Sequence, residues 1–136
     1  MEDAILDLLR TARNIAVVGL SPQPSRPSYV VATYLRAHGY RVIPVNPNFS
    51  EILGEQCYSD LTSIPVPVDV VDIFRRAKYV PEIVDQAIKI GARAIWMQVG
   101  IVNEEAADKA RRAGLIVVMD RCMHVEHERY RLAGLL

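Results

Sequence analysis

The sequence predicts an α/β fold: a Rossmann-like, doubly wound domain in which a mainly parallel sheet of five to six strands carries helices on both faces. Two observations support this prediction. Short apolar runs, typical of parallel strands that are buried on both faces, recur through the chain. Segments with apolar residues at helical spacing separate these runs, and strands that alternate with helices in this way form parallel sheets.

The expected strands come at regular intervals and are rich in valine and isoleucine; they are residues 15–18, 41–45, 68–74, 94–99 and 115–119. The expected helices are residues 3–12, 28–38, 81–90, 103–113 and 124–132. Ser28 and Asn103 are candidate helix caps, and Pro81 suits a first helical turn. Residues 49–67 are rich in proline and serine and are expected to be irregular, with at most a short strand near Cys57.

Length and composition indicate a single domain over residues 1–136, with a core of about residues 14–128. The formal net charge is zero, which gives no electrostatic reason to expect nucleic acid or an anionic membrane as a partner. The chain has two cysteines without a C-x-x-C pair, an acidic start, and no apolar stretch of the ~18 residues that a membrane span needs. These features predict a cytoplasmic protein.

The loop over residues 19–27, between the first strand and the next helix, is the strongest candidate for a ligand site. A glycine turn that leads from a buried strand into a helix places backbone N–H groups beside a phosphate. Ser21 and Pro24 replace the second and third glycines of the dinucleotide fingerprint, which argues against ordinary NAD binding. The candidate ligand-binding residues of this loop are Gly19, Ser21, Pro22, Ser25, Arg26 and Pro27. The alternative is a stiff surface connection.

Other candidate residues follow the next strands, because ligands bind at the carboxyl ends of strands in such sheets. Asn46 and Pro47 stand where NAD enzymes place an acidic residue, and a plain strand-ending turn is the alternative. After the third and fourth strands the candidates are Phe74, Arg75, Arg76, Gln98 and Gly100. The alternative after the third strand is that Arg75 and Arg76 are solvated on a turn. The alternative after the fourth strand is that Trp96 belongs to the core and that Gln98 is hydrogen-bonded to the backbone.

The segment after the fifth strand contains Cys122, His124 and His127. Their spacing, C-x-H-x-x-H, matches no closed zinc pattern, so we predict neither a metal site nor a catalytic residue here. His124 and Glu128 are four residues apart and are expected to pair on a helix surface. We expect Asp120 to form a structural salt bridge with Arg121 or another arginine.

These segments together resemble the CoA-binding domain family, small bacterial and archaeal Rossmann-like proteins related to the amino-terminal domain of the succinyl-CoA synthetase alpha subunit. The resemblance covers roughly residues 14–128. The motifs that carry it are Ala16–Pro22, Ser25–Tyr29, Gly39–Pro47, Val71–Arg76, Trp96–Gly100 and Met119–Cys122.

The resemblance implies coenzyme A (CoA) as the ligand. It places Gly19 to Ser25 against the CoA phosphates and Arg41 near the adenosine 3′-phosphate. It places Phe74, Arg75 and Val80 beside the adenine and the pantetheine. Basic residues near these positions would offset the ligand's negative charge within a protein of zero net charge.

The expected function is a stand-alone domain that binds CoA or an acyl-CoA in a regulatory role, and that is no enzyme by itself. The synthetase depends on a phosphorylated histidine in a second domain, and this chain has no counterpart of that domain. Two alternatives remain: a non-catalytic subunit of an acyl-CoA synthetase or transferase complex, and an NAD(H)-binding redox regulator. The expected partners are CoA and either an unknown protein or a second copy of the chain.

Overall fold

The structure is a computed structural model, and it describes residues 2–136. Five parallel strands form one sheet, and they are β1 (Asn14–Val18), β2 (Arg41–Val45), β5 (Val70–Ile73), β6 (Ala94–Met97) and β7 (Ile116–Val118). The helices are α1 (Glu2–Thr11), α2 (Pro27–Ala37), α3 (Val80–Lys89), α4 (Glu104–Arg112) and α5 (Met123–Leu132). The predicted fold class is confirmed.

The strands lie in the order β2-β1-β5-β6-β7. The chain therefore moves outward in one direction from β1 to β2, and then returns to build β5, β6 and β7 on the other side. The direction reverses between β1 and β5, which is the topological switch point where ligands of open α/β sheets bind. The loops that follow these two strands are 19–27 and 74–76 in the sequence.

Side chains alternate between the two faces of the sheet and build two separate cores. Ile15 and Val17 of β1 pack with α1, α2 and α5, whereas Ala16 and Val18 pack with α3 and α4. Trp96, completely buried, is the largest side chain in the first core. This two-sided burial explains why the strands are apolar throughout.

Residues 51–63 contain more regular structure than the short strand that the sequence indicated near Cys57. Glu51–Ile52 (β3) and Glu55–Gln56 (β4) form a small antiparallel hairpin, and a single 3-10 turn follows at Leu61–Ser63. The turn of the hairpin has positive φ at Leu53 and Gly54, 57° and 72°. Leucine is an unusual residue for such a turn, so its usual Asn-Gly signal is missing.

Asn103 caps α4 as predicted, since its Oδ1 accepts the Ala106 amide at 3.0 Å. Ser28 is not a cap: α2 begins one residue earlier, at Pro27. Within residues 2–136, no helix has the length and apolar character required to cross a membrane.

Candidate ligand-binding site

Gly19 lies where the loop that follows β1 packs against the loop that follows β5. Its φ of +86° is one that L side chains rarely adopt. A Cβ atom added there would lie 2.8 Å from the Phe74 carbonyl oxygen and 3.0 Å from the Arg75 Cδ. The two loops can therefore meet only because residue 19 has no side chain.

The N-terminus of α2 faces the same place and carries no side-chain cap. The Ser28 hydroxyl accepts the Ser21 amide at 3.0 Å, and this bond folds the loop back onto the first helical turn. Ser21 Oγ accepts the Gln23 amide at 3.1 Å. Pro27 has no N–H, and no protein acceptor within residues 2–136 pairs with the Ser28 or Tyr29 amide. Such an end of a helix attracts anions.

A cleft of about 390 Å³ opens directly in front of these groups. We call it the loop cleft; it is lined by Gly19, Ser21, Arg26, Pro27, Ser28 and Phe74. No acidic side chain lines it. Arg26 is exposed and forms no salt bridge with any carboxylate in the described part of the chain. The loop cleft thus combines backbone donors, a helix N-terminus and one unpaired guanidinium group.

A second cleft, of about 350 Å³, lies on the α3 side of the sheet. We call it the acidic cleft, and its main lining residues are Pro47, Asp60, Leu61, Arg75, Tyr79 and Glu82. The Arg75 guanidinium group stacks over the Tyr79 ring at 4.3 Å. Asp60 accepts hydrogen bonds from the Ser63 and Thr62 hydroxyls, and these bonds lower the pKa of its carboxyl group. The cleft offers a flat cation–aromatic surface and two carboxylates.

A third cleft, of about 350 Å³, borders the loop cleft on the side away from the acidic cleft. We call it the apolar cleft; it is lined by Pro27, Val31, Phe74, Gln98, Val99, Ile101 and Cys122. The apolar cleft shares Pro27 and Phe74 with the loop cleft. The acidic cleft adjoins the loop cleft on its other side, because its lining residues Val18 and Arg75 are the chain neighbours of Gly19 and Phe74. The three clefts therefore follow one another along the carboxyl edge of the sheet.

Asp72 and Gln98 form a buried polar pair beside the apolar cleft. Gln98 Nε2 donates a hydrogen bond to Asp72 Oδ1 at 2.6 Å. Asp72 is completely buried, and burial raises the pKa of its carboxyl group to about 7, although the Gln98 bond lowers it. Sequence reasoning proposed Gln98 but missed Asp72. The available signal was a carboxylate in the middle of an otherwise apolar strand.

Several predicted residues have a structural role in the loops. Asn46 Nδ2 donates to the Leu20 carbonyl oxygen at 3.0 Å, and its Oδ1 accepts the Asn48 amide, so both ends of this amide are occupied. The Gly100 amide donates to Asp120 Oδ1 at 2.7 Å, and its φ is +83°. A Cβ atom on Gly100 would meet no atom of the described residues within 4 Å, so no protein group packs closely against this glycine.

Other predicted residues lie outside the three clefts. Arg41 is at the amino-terminal end of β2, the opposite end of the strand from Pro47, and it lines a separate groove with Glu55, Gln56 and Tyr58. Val80 is completely buried in the core under α3. Three further predicted residues are exposed and line none of the three clefts: Pro22, Ser25 and Arg76.

The three histidines of the chain gather around Tyr34. His38 and His124 stack on its ring, with centroids 4.1 Å and 3.8 Å away, and His127 Nδ1 shares a hydrogen bond of 2.8 Å with its hydroxyl. His124 also pairs with Glu128 at 3.3 Å, as predicted. Within residues 2–136, no three histidine, cysteine or acidic side chains are arranged so that they could hold one metal ion.

The expected salt bridge of Asp120 with an arginine is wrong. Arg121 pairs instead with Glu2 and Glu126, at 2.8 Å and 3.1 Å, while Asp120 accepts the Gly100 amide. The backbone explains the difference, because Asp120 has a φ of +56° and lies in the turn that follows β7. Its carboxylate thereby ties the loop after β7 to the loop after β6.

The sequence matches the model of the CoA-binding domain family over residues 13–128, which is most of the chain and includes all three clefts. The chain belongs to this family. Its Bacillus subtilis relative YneT is 40% identical over 123 residues, and the match covers 90% of this chain and 91% of YneT. A solved structure of a hypothetical protein from Pyrococcus horikoshii has a TM-score of 0.92 and 46% identity, with 95% of this chain and 91% of that chain covered.

A third relative is much longer than this chain. The acetate–CoA ligase (ADP-forming) I of Archaeoglobus fulgidus is 30% identical over 119 residues, which cover 80% of this chain and 17% of the ligase. The chain is thus homologous to one part of a large ligase. Most of the ligase has no counterpart in the aligned region.

Proposed function

We propose that the protein binds coenzyme A, or an acyl-CoA, along the carboxyl edge of its sheet and acts as a binding or regulatory domain. The observation that carries the proposal is the order of the three clefts. The acidic, loop and apolar clefts follow one another at the switch point, and CoA consists of a nucleoside, a diphosphate and a flexible, mainly aliphatic pantetheine arm in that order.

The chemistry of each cleft suits one part of this ligand. The loop cleft has backbone donors, Arg26 and no carboxylate, which favours the diphosphate. The acidic cleft has the Arg75–Tyr79 stack for a base, and carboxylates that accept hydrogen bonds from the free ribose 2′-hydroxyl or the exocyclic amine of the adenine. The apolar cleft has aliphatic walls for the methylene groups of the arm.

The experiment that tests the proposal is calorimetric titration of the purified protein with CoA, acetyl-CoA, 3′-dephospho-CoA and NAD⁺. We expect CoA to bind more tightly than NAD⁺. NAD⁺ is disfavoured because Asn46, which stands where an acidic residue would bind the ribose, uses both ends of its amide within the protein. Absence of CoA binding, or tighter binding of NAD⁺, would contradict the proposal and favour the redox regulator.

Substitution of Arg26 tests whether its guanidinium group binds the negatively charged diphosphate of the ligand. We expect Arg26→Gln to weaken CoA binding about tenfold or more, since charge-assisted hydrogen bonds contribute roughly 1.5–3 kcal/mol. Arg112→Gln is the matched control, because Arg112 is exposed on α4 and lines none of the three clefts. Equal affinities of both variants would remove Arg26 from the site.

The role that the resemblance gives to Arg41 requires a separate test, since this residue lies at the far end of β2. If the adenosine extends along this edge strand, Arg41→Gln weakens binding of CoA and leaves binding of 3′-dephospho-CoA unchanged. An equal loss for both ligands would show that Arg41 does not contact the 3′-phosphate.

A second candidate function is a non-catalytic subunit of an acyl-CoA synthetase complex. It is favoured by the homology to one part of a longer ligase and by the exposure of Val99, which borders the apolar cleft and is 67% exposed. Incubation of the protein with CoA, acetate and ATP tests whether it forms a thioester alone. We expect no thioester; turnover by the isolated chain would contradict a purely binding role.

A further inference from the structure

The buried carboxyl group of Asp72 is the feature of the sheet that packing does not explain. Asp72 lies in β5 between Val17 of β1 and Trp96 of β6, and none of its surface is exposed. Its Oδ2 is the only buried side-chain oxygen or nitrogen within residues 2–136 that has no hydrogen-bond partner. A group of this kind is costly, and its retention points to a role in the neighbouring site.

The one hydrogen bond of Asp72 fixes the orientation of Gln98. Nε2 of Gln98 donates to Asp72 Oδ1, which is an acceptor whether or not the carboxyl group is protonated. Within residues 2–136 no group donates a hydrogen bond to Gln98 Oε1, and this oxygen is not fully buried. Because Gln98 lines the apolar cleft and its Nε2 is engaged by Asp72, we infer that Oε1 is the end of the amide available to a ligand in this cleft.

The apolar cleft therefore presents one oriented acceptor in a wall of Val31, Phe74, Val99 and Ile101. Such a wall favours a flexible aliphatic chain, and a lone acceptor selects a chain that carries an N–H donor. Neither feature suits a phosphate, which needs donors. The pantetheine arm of CoA is an aliphatic chain that contains two secondary amides.

We propose that Gln98, held in place by Asp72, accepts a hydrogen bond from an amide N–H of the pantetheine arm and so distinguishes CoA from nucleotides that lack this arm. The inference rests on the proposed function, because the arm reaches this cleft only if the diphosphate occupies the loop cleft. In this arrangement Gln98 contacts the ligand, and Asp72 is a positioning residue.

The test compares CoA with 3′-phospho-ADP, which is CoA without the pantetheine arm. We expect Gln98→Met to weaken CoA binding about tenfold and to leave 3′-phospho-ADP binding unchanged. Asp72→Val should have the same selective effect, whereas Asp72→Asn should retain CoA binding because its amide oxygen still accepts from Gln98. The double variant Asp72→Val/Gln98→Met removes both polar groups together, which guards against loss of folding in a single variant.

The outcomes separate this inference from the proposed function. If wild-type protein binds CoA and 3′-phospho-ADP equally well, the arm contributes nothing, and this inference is overturned while CoA binding stands. The same conclusion follows if the folded double variant binds CoA as the wild type does, or if the variants lose affinity for both ligands equally. If the wild-type protein binds neither ligand, the proposed function itself fails.

Discussion

Replacement of Gly19 by valine is expected to abolish CoA binding while the protein still folds. The added Cβ would lie 2.8 Å from the Phe74 carbonyl oxygen, closer than real Cβ contacts allow, and the next atoms of the side chain would enter the loop cleft. The loops after β1 and β5 would then have to separate at the switch point. Calorimetry with CoA measures the loss of binding, and circular dichroism reports folding.

Gly91→Val is the matched control for this prediction. Gly91 has a φ of +73°, similar to the +86° of Gly19, but a Cβ atom there would meet nothing within 4 Å. Both variants therefore share the left-handed backbone strain of roughly 1–2 kcal/mol for a side chain with Cβ, and Gly19→Val alone adds the collision. Normal CoA binding by the Gly19 variant would mean that the loop has a structural role only.

The sequence is informative about the fold because its signals are periodic. Five apolar runs and five amphipathic segments were sufficient for the fold class, and the second strand, Arg41–Val45, has the predicted bounds. Of the β3–β4 hairpin the sequence indicated only a short strand near Cys57, where β4 lies, because strands of two residues contain no period to detect. Its Leu53-Gly54 turn also lacks the usual residues.

The site was less predictable, because local sequence patterns do not show which loops come together in the folded sheet. The position of Gly19 follows from a strand–glycine–helix motif, but its contact with Phe74 depends on how β1 and β5 pair. Arg41 belongs to a motif that follows the second helix. It is the first residue of β2, however, and the three clefts lie at the other end of that strand. Asp72 is a carboxylate within an otherwise apolar strand, and only the sheet reveals its bond to Gln98.

The second large effect is expected from Asp72→Asn, as a change in how stability depends on pH. The carboxyl group has an ordinary pKa of 3.8 in the unfolded chain and a pKa of about 7 in the folded protein. Between these values the unfolded chain has released the proton and the folded protein still holds it. The free energy of unfolding of the wild type therefore decreases as the pH rises through this interval, and the contribution becomes constant above it.

The size of this effect follows from the shift in pKa. Each pKa unit corresponds to about 1.4 kcal/mol, so the wild type should lose about 4 kcal/mol through Asp72 between acidic and mildly alkaline pH. Asparagine does not titrate, keeps an acceptor for Gln98 Nε2, and removes this loss. We expect the variant to match the wild type at about pH 4 and to be more stable by a few kcal/mol above about pH 8.

Urea unfolding of both proteins across this pH range measures the difference directly. Other titrating groups, such as His127, whose burial lowers its pKa, contribute to both proteins and cancel in the comparison. Curves that stay parallel from acid to alkali would mean that Asp72 titrates alike in the folded and unfolded states. A widening gap would mean that the folded protein holds the Asp72 carboxyl group protonated, and that this costs stability at neutral pH.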